Sequence, residues 1–342
     1  MKPLQQLELG DERWRAFVAG RPEATAFHLP AWTEMLCECY GFRGFALATV
    51  DPAGLPTAGM PVIELQRRLH RRVWVSLPFT DACAPLLEPE RESQLLGGLE
   101  DARRAAGVQG LEIRAHVQMA DGRQVKTALR HSLTLEQDEE AVLRRLDPSQ
   151  VQRNIRRAKR EGVVVRPAER ESDLDQVFFE LQVETRRRLG VPVQPRRFYT
   201  LLWRRLIEPG HGFLLLAYTG SRPIAGGVFL RAGHTLTYKF GASSREHWRL
   251  RPNVLLFWSA IQLGCASGVR VLDFGRTEPT NDGLRRFKLN WGTREEPLTY
   301  TVLGRLDRQA TRKLEPALGS IIRHSPAWVG RAIGARLYRY AS

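Results

Sequence analysis

Apolar and polar positions alternate along the chain in a pattern that predicts the same series of elements twice. In the first half, helices Asp11 to Ala19 and Ala31 to Cys39 precede strands GFALATV and GMPVIEL around the turn DPAGLPT, then strand RRVWVSLPF, a helix from about Glu90 to Ala106 and strand LEIRAHV. In the second half, helix Tyr199 to Ile207 precedes strands GFLLLAY and AGGVFLR, strand HTLTYKFGAS, helix Asn253 to Ala266 and strand VRVLDFG. Such alternation of helix and strand is typical of α/β or mixed folds.

Two offsets between the halves indicate an internal duplication. Ala58-Gly59 matches Ala225-Gly226 at an offset of 167, and Gly107 matches Gly268 at 161, each before a similar strand. Nearly equal offsets across a hairpin, a helix and a strand favour two related units over two unrelated domains. We expect a first domain over 1–135, a second over 136–305 and a basic amphipathic helical tail over 306–342.

Composition excludes disorder and small peptide scaffolds. The 342 residues are 43% hydrophobic and 26% charged, which suffices for a sizeable core. The formal net charge of +15 predicts attraction to phosphates or to anionic lipid surfaces, although a genome rich in G and C would also raise the arginine content.

Cysteine usage and the start of the chain bear on its compartment. Cys37, Cys39, Cys83 and Cys265 form no C-x-x-C pair, so we expect neither a metal site nor disulfides. The first residues contain no apolar signal region, and no run of about 18 apolar residues occurs. These observations predict a cytoplasmic protein that does not span a membrane.

The segment DFGRTEPTNDGLRRFKLNWGTREEPLTY carries the densest set of functional groups. It starts at Asp273, at the end of a predicted strand, where ligands of alternating α/β sheets usually bind. Its residues also suit a charged surface loop, so the pattern alone leaves both interpretations open.

This segment resembles the C-terminal signature of the Fem-like acyltransferases, a group related to the GNAT acetyltransferases that includes enzymes building peptidoglycan cross-bridges. The pieces FHLPAWTEMLCECYGF, VSLPFTDACAPLL, NIRRAKREGVVV and ETRRRLGVPVQPRRFY are similar to its exopolysaccharide-associated branch. The resemblance covers nearly the whole chain. It implies an α/β fold of tandem GNAT-like domains, each a mixed, mostly antiparallel sheet flanked by helices, and transfer of an acyl or aminoacyl group to an amine.

The resemblance implies a catalytic role for Lys288, and the chemistry of acyl transfer suggests one for Asp273. Lys288 would stabilise the oxyanion of the tetrahedral intermediate or hold donor phosphate, and its alternative is a surface lysine paired with Glu295 or Glu296. Asp273 would accept the proton of the attacking amine, with Glu278 or the substrate itself as alternatives. Asp273 also suits a simple turn cap.

Further positions are expected to contact substrate. They are Tyr238, Lys239, Arg276, Phe287, Trp291 and Asp81. Because side chains alternate along a strand, only one of Tyr238 and Lys239 should face the pocket. Neighbouring Cys83 is interpreted as a small buried residue rather than a nucleophile.

The chain departs from standard acetyl-CoA enzymes where they bind pyrophosphate. A glycine-rich loop normally stands before the helix, and here the sequence is SREHWRLRPNVLLF. Arg245, Arg249 and Arg251 are the candidates for holding donor phosphate instead. No cofactor is expected to be tightly bound, and acyl-CoA or aminoacyl-tRNA would be the co-substrate.

Two basic segments offer further partners. The helix VQRNIRRAKREG suits an RNA or phosphate surface or a solvated linker, while the long coiled-coil helices that help cross-bridge enzymes bind tRNA have no counterpart. The tail IIRHSPAWVGRAIGARLYRY suits either an anionic membrane surface or the protein's own core. The sequence thus predicts an N-acyltransferase acting on an amino-sugar or peptide precursor of the envelope, with a non-catalytic protein binding a phosphate-rich ligand as the alternative.

Overall fold

A computed structural model describes residues 3–66, 71–87, 91–306 and 318–338. Within these ranges, twelve strands form one sheet. They are β1 (Gln5–Leu7), β2 (Arg43–Val50), β3 (Pro56–Gln66), β4 (Arg72–Ser76), β5 (Gly110–Ile113), β6 (Arg123–Thr134), β7 (Val163–Pro167), β8 (Gly212–Thr219), β9 (Arg222–Ala232), β10 (Thr235–Ser243), β11 (Val271–Thr277) and β12 (Arg294–Gly304).

Helices cover both faces of this sheet. They are α1 (Glu12–Ala19), α2 (Pro30–Tyr40), α3 (Glu92–Ala105), α4 (Glu139–Arg145), α5 (Arg153–Arg160), α6 (Phe179–Leu189), α7 (Arg196–Leu202), α8 (Pro252–Ala266), α9 (Asp282–Leu289) and α10 (Ala327–Leu337). Short π-helical turns precede α5 and α6 and follow α7, and a 3₁₀ turn spans Arg245–Leu250. Helix α8 is apolar on almost all sides because it lies between the sheet and α5.

The strand order is β1-β2-β3-β4-β5-β12-β6-β11-β10-β9-β8-β7. In each half, an antiparallel hairpin and a third antiparallel strand lead through a helix to a parallel strand, β4 to β5 through α3 and β10 to β11 through α8. All other neighbours are antiparallel. The predicted mixed α/β architecture with two similar units is therefore confirmed.

The two units exchange their last strands. β6 precedes residue 135 in the chain, yet it pairs with β11 of the second unit. β12 pairs with β5 of the first unit, and β6 and β12 pair with each other at the centre of the sheet. Residues of β6 consequently lie beside the segment that begins at Asp273.

Several predicted elements are shorter in the structure. Strand β4 ends at Ser76, before Pro78, because proline has no N–H to donate to a neighbouring strand. Helix α3 begins at Glu92, and Glu90, its predicted start, lies outside the described residues.

The described part of the tail packs onto the protein. Tyr338 donates its hydroxyl to the Pro192 carbonyl at 2.9 Å, and Arg331 pairs with Glu180 of α6. Trp328 is 68% exposed. Residues 307–317 and 339–342 of the predicted tail helix lie outside the described residues. No helix within the described ranges is long and apolar enough to cross a membrane.

Candidate functional site

The site lies where the parallel strands β10 and β11 diverge. Their pairing ends at Thr237 opposite Asp273. Immediately beyond, β10 has a bulge between Tyr238 and Phe240, and β11 has one between Asp273 and Gly275. Bulges bend strands and redirect side chains, and they are frequent beside active sites. The divergence opens the sheet at the carboxyl ends of both strands, which is where ligands bind in such folds.

Lys288 reaches this opening from α9. Asn281 caps that helix by accepting from the Leu284 amide at 3.1 Å. Lys288 is only 3% exposed, and its Nζ donates to the carbonyl oxygens of Gly275 and Arg276, both at 2.9 Å. It is therefore not the surface lysine paired with Glu295 or Glu296. Burial lowers its pKa to about 8, against the opposing effect of two nearby carboxylates, Asp81 and Asp273.

Asp81 and Lys288 hold the same peptide group. The Oδ2 atom of Asp81 accepts from the Arg276 amide at 3.0 Å, while Lys288 binds the Gly275 carbonyl of that peptide. Gly275 has a φ of 72°, and a Cβ built there would lie 2.8 Å from Asp81 Oδ2. Only glycine fits this approach without strain.

Asp273 is 4% exposed and fully engaged. Its Oδ2 accepts from Nε and Nη2 of Arg130 at 2.9 and 2.8 Å, and its Oδ1 accepts from the Gly275 amide at 2.8 Å. A carboxylate with three charge-assisted or backbone hydrogen bonds is suited to positioning and charge balance. The alternative base, Glu278, is exposed and pairs with Arg276.

Tyr238 and Lys239 point to opposite sides of the sheet. The ring of Tyr238 packs against Phe257 at a centroid distance of 4.6 Å, and burial raises the pKa of its hydroxyl. The ammonium of Lys239 lies on the other side and donates to the carbonyl of Phe79. Burial lowers the Lys239 pKa to about 8, with Asp81 acting in the opposite direction.

A buried histidine stands behind Lys288. His131 of β6 bonds through Nε2 to Glu295 at 3.0 Å, and Glu295 accepts two bonds from Arg285 at 2.7 Å. The pKa of His131 is lowered by burial and by Lys288, against the effect of Glu295. A neutral imidazole is therefore the form that fits beside the lysine at neutral pH.

Other predicted substrate residues lie at differing depths. Arg276 is exposed at the rim and is bound to Glu278. Phe287 and Trp291 instead belong to an aromatic cluster around Phe257, and Trp291 is fully buried. Trp291 therefore packs in the core against Phe257 and Phe274 and does not face solvent. Cys83 is buried as well, and burial raises its thiol pKa.

The predicted phosphate-binding arginines form a separate exposed group at the start of α8. Arg245, Arg249 and Arg251 have no carboxylate within ion-pair distance among the described residues. Arg251 adopts a left-handed φ of 58° directly before Pro252. Beside them, the Arg188 guanidinium stacks on Trp248 at 4.8 Å. Within the described residues, the carboxylate that hydrogen-bonds to the group is Glu184, which accepts from the backbone amide of Arg245 at 3.1 Å and leaves the three guanidinium groups unpaired there.

The sequence analysis assigned no role to four residues of the site. Arg130 and His131 enter through the exchanged strand β6, and Tyr300 enters through β12. Arg114 follows β5 and donates to the Thr80 carbonyl. Tyr300 ends the segment that resembles the Fem-like signature, whereas Arg114, Arg130 and His131 belong to no recognisable motif. The strand exchange brings Arg130, His131 and Tyr300 to the site.

Residues 147–289 match the family model described as an acetyltransferase (GNAT) domain. That range contains Lys239, Asp273 and Lys288 but not Asp81. No curated protein sequence matches the chain significantly.

Solved structures resemble nearly the whole chain. FemX is similar with 16% identity and a TM-score of 0.72, covering 91% of this chain and all of that one. The C-terminal domain of a putative lysylphosphatidylglycerol synthetase from Agrobacterium fabrum has 15% identity and a TM-score of 0.56, covering 91% and 96%. A tandem GNAT protein from the clavulanic acid biosynthesis pathway has 12% identity and a TM-score of 0.50, covering 89% and 99%. These likenesses establish the fold.

Proposed function

Because the chain carries a GNAT acyltransferase domain within a FemX-like fold, we propose that it transfers an acyl or aminoacyl group to an amine of a cell-wall or exopolysaccharide precursor. The observation that carries the proposal is the buried Lys288 at the divergence of β10 and β11. Two of its three N–H groups bind carbonyls, and the third has no partner among the residues that the structure describes.

The free N–H supplies what acyl transfer requires. The amine nitrogen attacks the carbonyl carbon of a thioester or ester, a C–N bond forms, and the carbonyl oxygen becomes an oxyanion. Collapse of this intermediate breaks the C–S or C–O bond and releases a thiol or a tRNA hydroxyl. A fixed cation in a largely dry site stabilises the oxyanion strongly, typically by about 3 kcal/mol for a single donor.

Proton removal is assigned to the substrates. Both oxygens of Asp273 are occupied by Arg130 and the Gly275 amide, so this carboxylate is suited to keeping Lys288 charged. Glu278 pairs with Arg276 at the rim. The acceptor attacks as the neutral amine, and the departing thiolate or alkoxide takes the proton that its nitrogen carries in the tetrahedral intermediate.

The donor is proposed to bind through its phosphates at the start of α8. Pro252 removes a backbone N–H from the first helical turn, which weakens the backbone cradle used by standard GNAT enzymes. Arg245, Arg249 and Arg251 offer side-chain donors in its place. CoA thioesters and aminoacyl-tRNA both carry phosphates, so this surface is compatible with either.

A donor panel tests the proposal. Purified protein is incubated with acetyl-CoA, longer acyl-CoA or charged tRNA, together with amino-sugar and peptide acceptors, and the amide product is detected by mass spectrometry. We expect product with one donor class and a thermal shift with that donor, since ligands that bind only the native state stabilise it. Arg249→Ala with Arg251→Ala should abolish the shift.

The matched control is Arg153→Ala with Arg156→Ala on α5, whose exposed arginines lie outside the proposed donor site. Loss of the shift in this control alone would move donor binding to α5. Donor binding without any product would contradict transfer and favour the binding-protein alternative.

A further inference from the structure

Three consecutive carbonyls between β4 and the buried Cys83 are each held by a side chain from a different element. Lys239 of β10 donates to Phe79, Arg114 donates to Thr80, and Tyr300 of β12 donates to Asp81 at 2.7 Å. The loop Phe79–Asp81 thus joins both units and the exchanged strand. Phe79 has a φ of 58°, a left-handed conformation that costs a non-glycine residue free energy unless its surroundings fix it.

Lys239 is the residue of the second unit's β10 that donates a hydrogen bond to this loop. It is the extra residue of the β10 bulge, and the bulge directs it toward α2. Its Nζ lies 5.1 Å from the ring centroid of Phe27 and 5.2 Å from those of Trp32 and Phe240. No carboxylate within the described residues forms an ion pair with it, so ring faces and one carbonyl hold the ammonium.

The loop in turn acts on Lys288. Asp81 follows Phe79 by two residues, and its carboxylate binds the Arg276 amide. Lys288 binds the carbonyl of the same peptide. A displacement of Phe79 would carry Asp81 away from this peptide and from the neighbourhood of Lys288.

We propose that Lys239 is a positioning residue: by holding the Phe79 carbonyl, it keeps Asp81 on the Gly275–Arg276 peptide and so fixes the place and charge of Lys288. The role in catalysis rests on the proposed acyl transfer, whereas the structural coupling does not. Lys239 itself does not touch the reacting atoms in this assignment.

Lysine NMR tests the coupling without any substrate. The chain has only six lysines, so ¹⁵N-lysine labelling gives a spectrum in which variants assign each Nζ signal. The charged and titratable groups facing Lys288 are Asp81 from the loop, Asp273 from β11 and His131 from β6. Asp81 and Asp273 both raise its pKa, so loss of Asp81 from its position should lower the pKa further.

The direction in which the Lys288 pKa changes in Lys239→Met distinguishes displacement of Asp81 from the simple loss of a nearby positive charge. Displacement of Asp81 lowers the Lys288 pKa below that of the wild type, which is the expected result. Removal of a nearby positive charge alone would raise it. An unchanged or raised Lys288 pKa therefore overturns the proposal.

Two further comparisons of variants serve as controls for this interpretation. Lys126→Met, at an exposed lysine of β6, should leave Lys288 unchanged. Asp81→Asn should lower the Lys288 pKa by itself, and adding Lys239→Met should then change little, because both act through one carboxylate. Additive shifts would contradict the coupling.

Amide hydrogen exchange provides an internal control. The adjacent amides of Gly275 and Arg276 are bound to Asp273 and Asp81, respectively. In Lys239→Met, only the Arg276 amide should exchange faster, by about tenfold for a lost hydrogen bond. Equal acceleration of both would contradict the proposal, and Lys239→Gln serves if the methionine variant does not fold.

Catalysis gives the last readout. With an active donor and acceptor, Lys239→Met should reduce kcat about tenfold while leaving the donor KM unchanged, since it acts on Lys288 rather than on binding. A raised KM with unchanged kcat would make Lys239 a substrate-binding residue. If the wild type transfers nothing, the proposed function fails while the NMR result still decides the coupling.

Discussion

The two units carry an acid at the same place but surround it differently. Glu112 stands opposite Val75 in the parallel pair of the first unit, as Asp273 stands opposite Thr237 in the second, and both acids are at least 94% buried. The strand sequences preceding them, Gly107 onward and Gly268 onward, are related by the offset of 161. Each unit thus has a buried carboxylate in its parallel strand pair, at the last paired residue in the second unit and one residue before it in the first.

What differs is the residue two positions later. In the first unit this is Arg114, whose side chain turns back to Glu112 at 3.0 Å and onto the Thr80 carbonyl. In the second unit it is Gly275, and Asp81 and Lys288 approach its peptide from two sides. The first unit therefore has an arginine at the position where the second unit has a glycine whose peptide binds both Asp81 and Lys288.

Among the variants that test this difference between the units, the largest effect is expected from a side chain added at Gly275. Gly275→Ala places a Cβ 2.8 Å from Asp81 Oδ2 at a positive φ, so it should displace Asp81 and reduce acyl transfer about 100-fold. It should also lower the free energy of unfolding by about 1–2 kcal/mol through backbone strain.

Gly268→Ala is the matched control for that strain. Gly268 has the same φ of 72°, but a Cβ there meets nothing within 4 Å. It should lose similar stability and keep wild-type transfer. Equal loss of transfer in both variants would mean that strain, rather than the opening at Gly275, limits activity.

An intermediate effect is expected from removing the arginine beside each acid. Arg114→Met and Arg130→Met should each lower the free energy of unfolding by about 2 kcal/mol, because each removes the charged donor to a buried carboxylate. Denaturant unfolding measures this. Arg130→Met should also change the Lys288 pKa directly, since Asp273 faces Lys288, whereas Arg114→Met can act on Lys288 only indirectly, through the Thr80 carbonyl and Asp81, and should change its pKa less. The comparison fails if Arg114→Met alters that pKa to the same extent.

The smallest effect is a pH dependence confined to the second unit. Lys239 and Lys288 titrate near 8 in the folded chain and near 10.5 when unfolded, so between pH 8 and 9 the unfolded state binds more protons. The free energy of unfolding should therefore rise with pH in this range, by about 1 kcal/mol per pH unit for each lysine. The contribution of these two lysines to stability should be lowest below pH 8.

Replacing either lysine by methionine should remove about half of this rise. Lys126→Met should leave it intact, because that lysine is exposed. Chemical unfolding at pH 8.0, 8.5 and 9.0 gives the slopes. A slope unaffected by both methionine variants would show that neither ammonium is desolvated.

The sequence indicated the residues that lie at the second unit's site better than the residues that hold them in place. Lys288, Asp273, Asp81 and Arg276 all stand in local motifs, and the structure brings them together at the two adjacent peptides of Gly275. Their proposed roles in catalysis and binding stay predictions. Arg130 could not be predicted, because its strand RQVKTALRHSLT has no clear alternation and its neighbour β11 lies more than a hundred residues away.

The sequence also did not show how deeply each residue of the motif is buried. Phe287 and Trp291 lie in the same motif as Lys288, yet they pack into the aromatic cluster around Phe257. Lys288 lies in the last turn of α9, whereas Trp291 lies in the turn that follows the helix, and the sequence does not show which of the two side chains reaches the site.

The account depends most on Lys288 as the cation of acyl transfer, and the direct measurement is the ratio of wild-type to Lys288→Met transfer rates across pH, with folding of both checked by circular dichroism. The ratio cancels the titration of the acceptor amine. We predict a ratio of about 100–1000 at pH 7 that declines as the pH rises through about 8, where Lys288 loses its proton. A folded Lys288→Met variant that transfers at the wild-type rate would contradict the account.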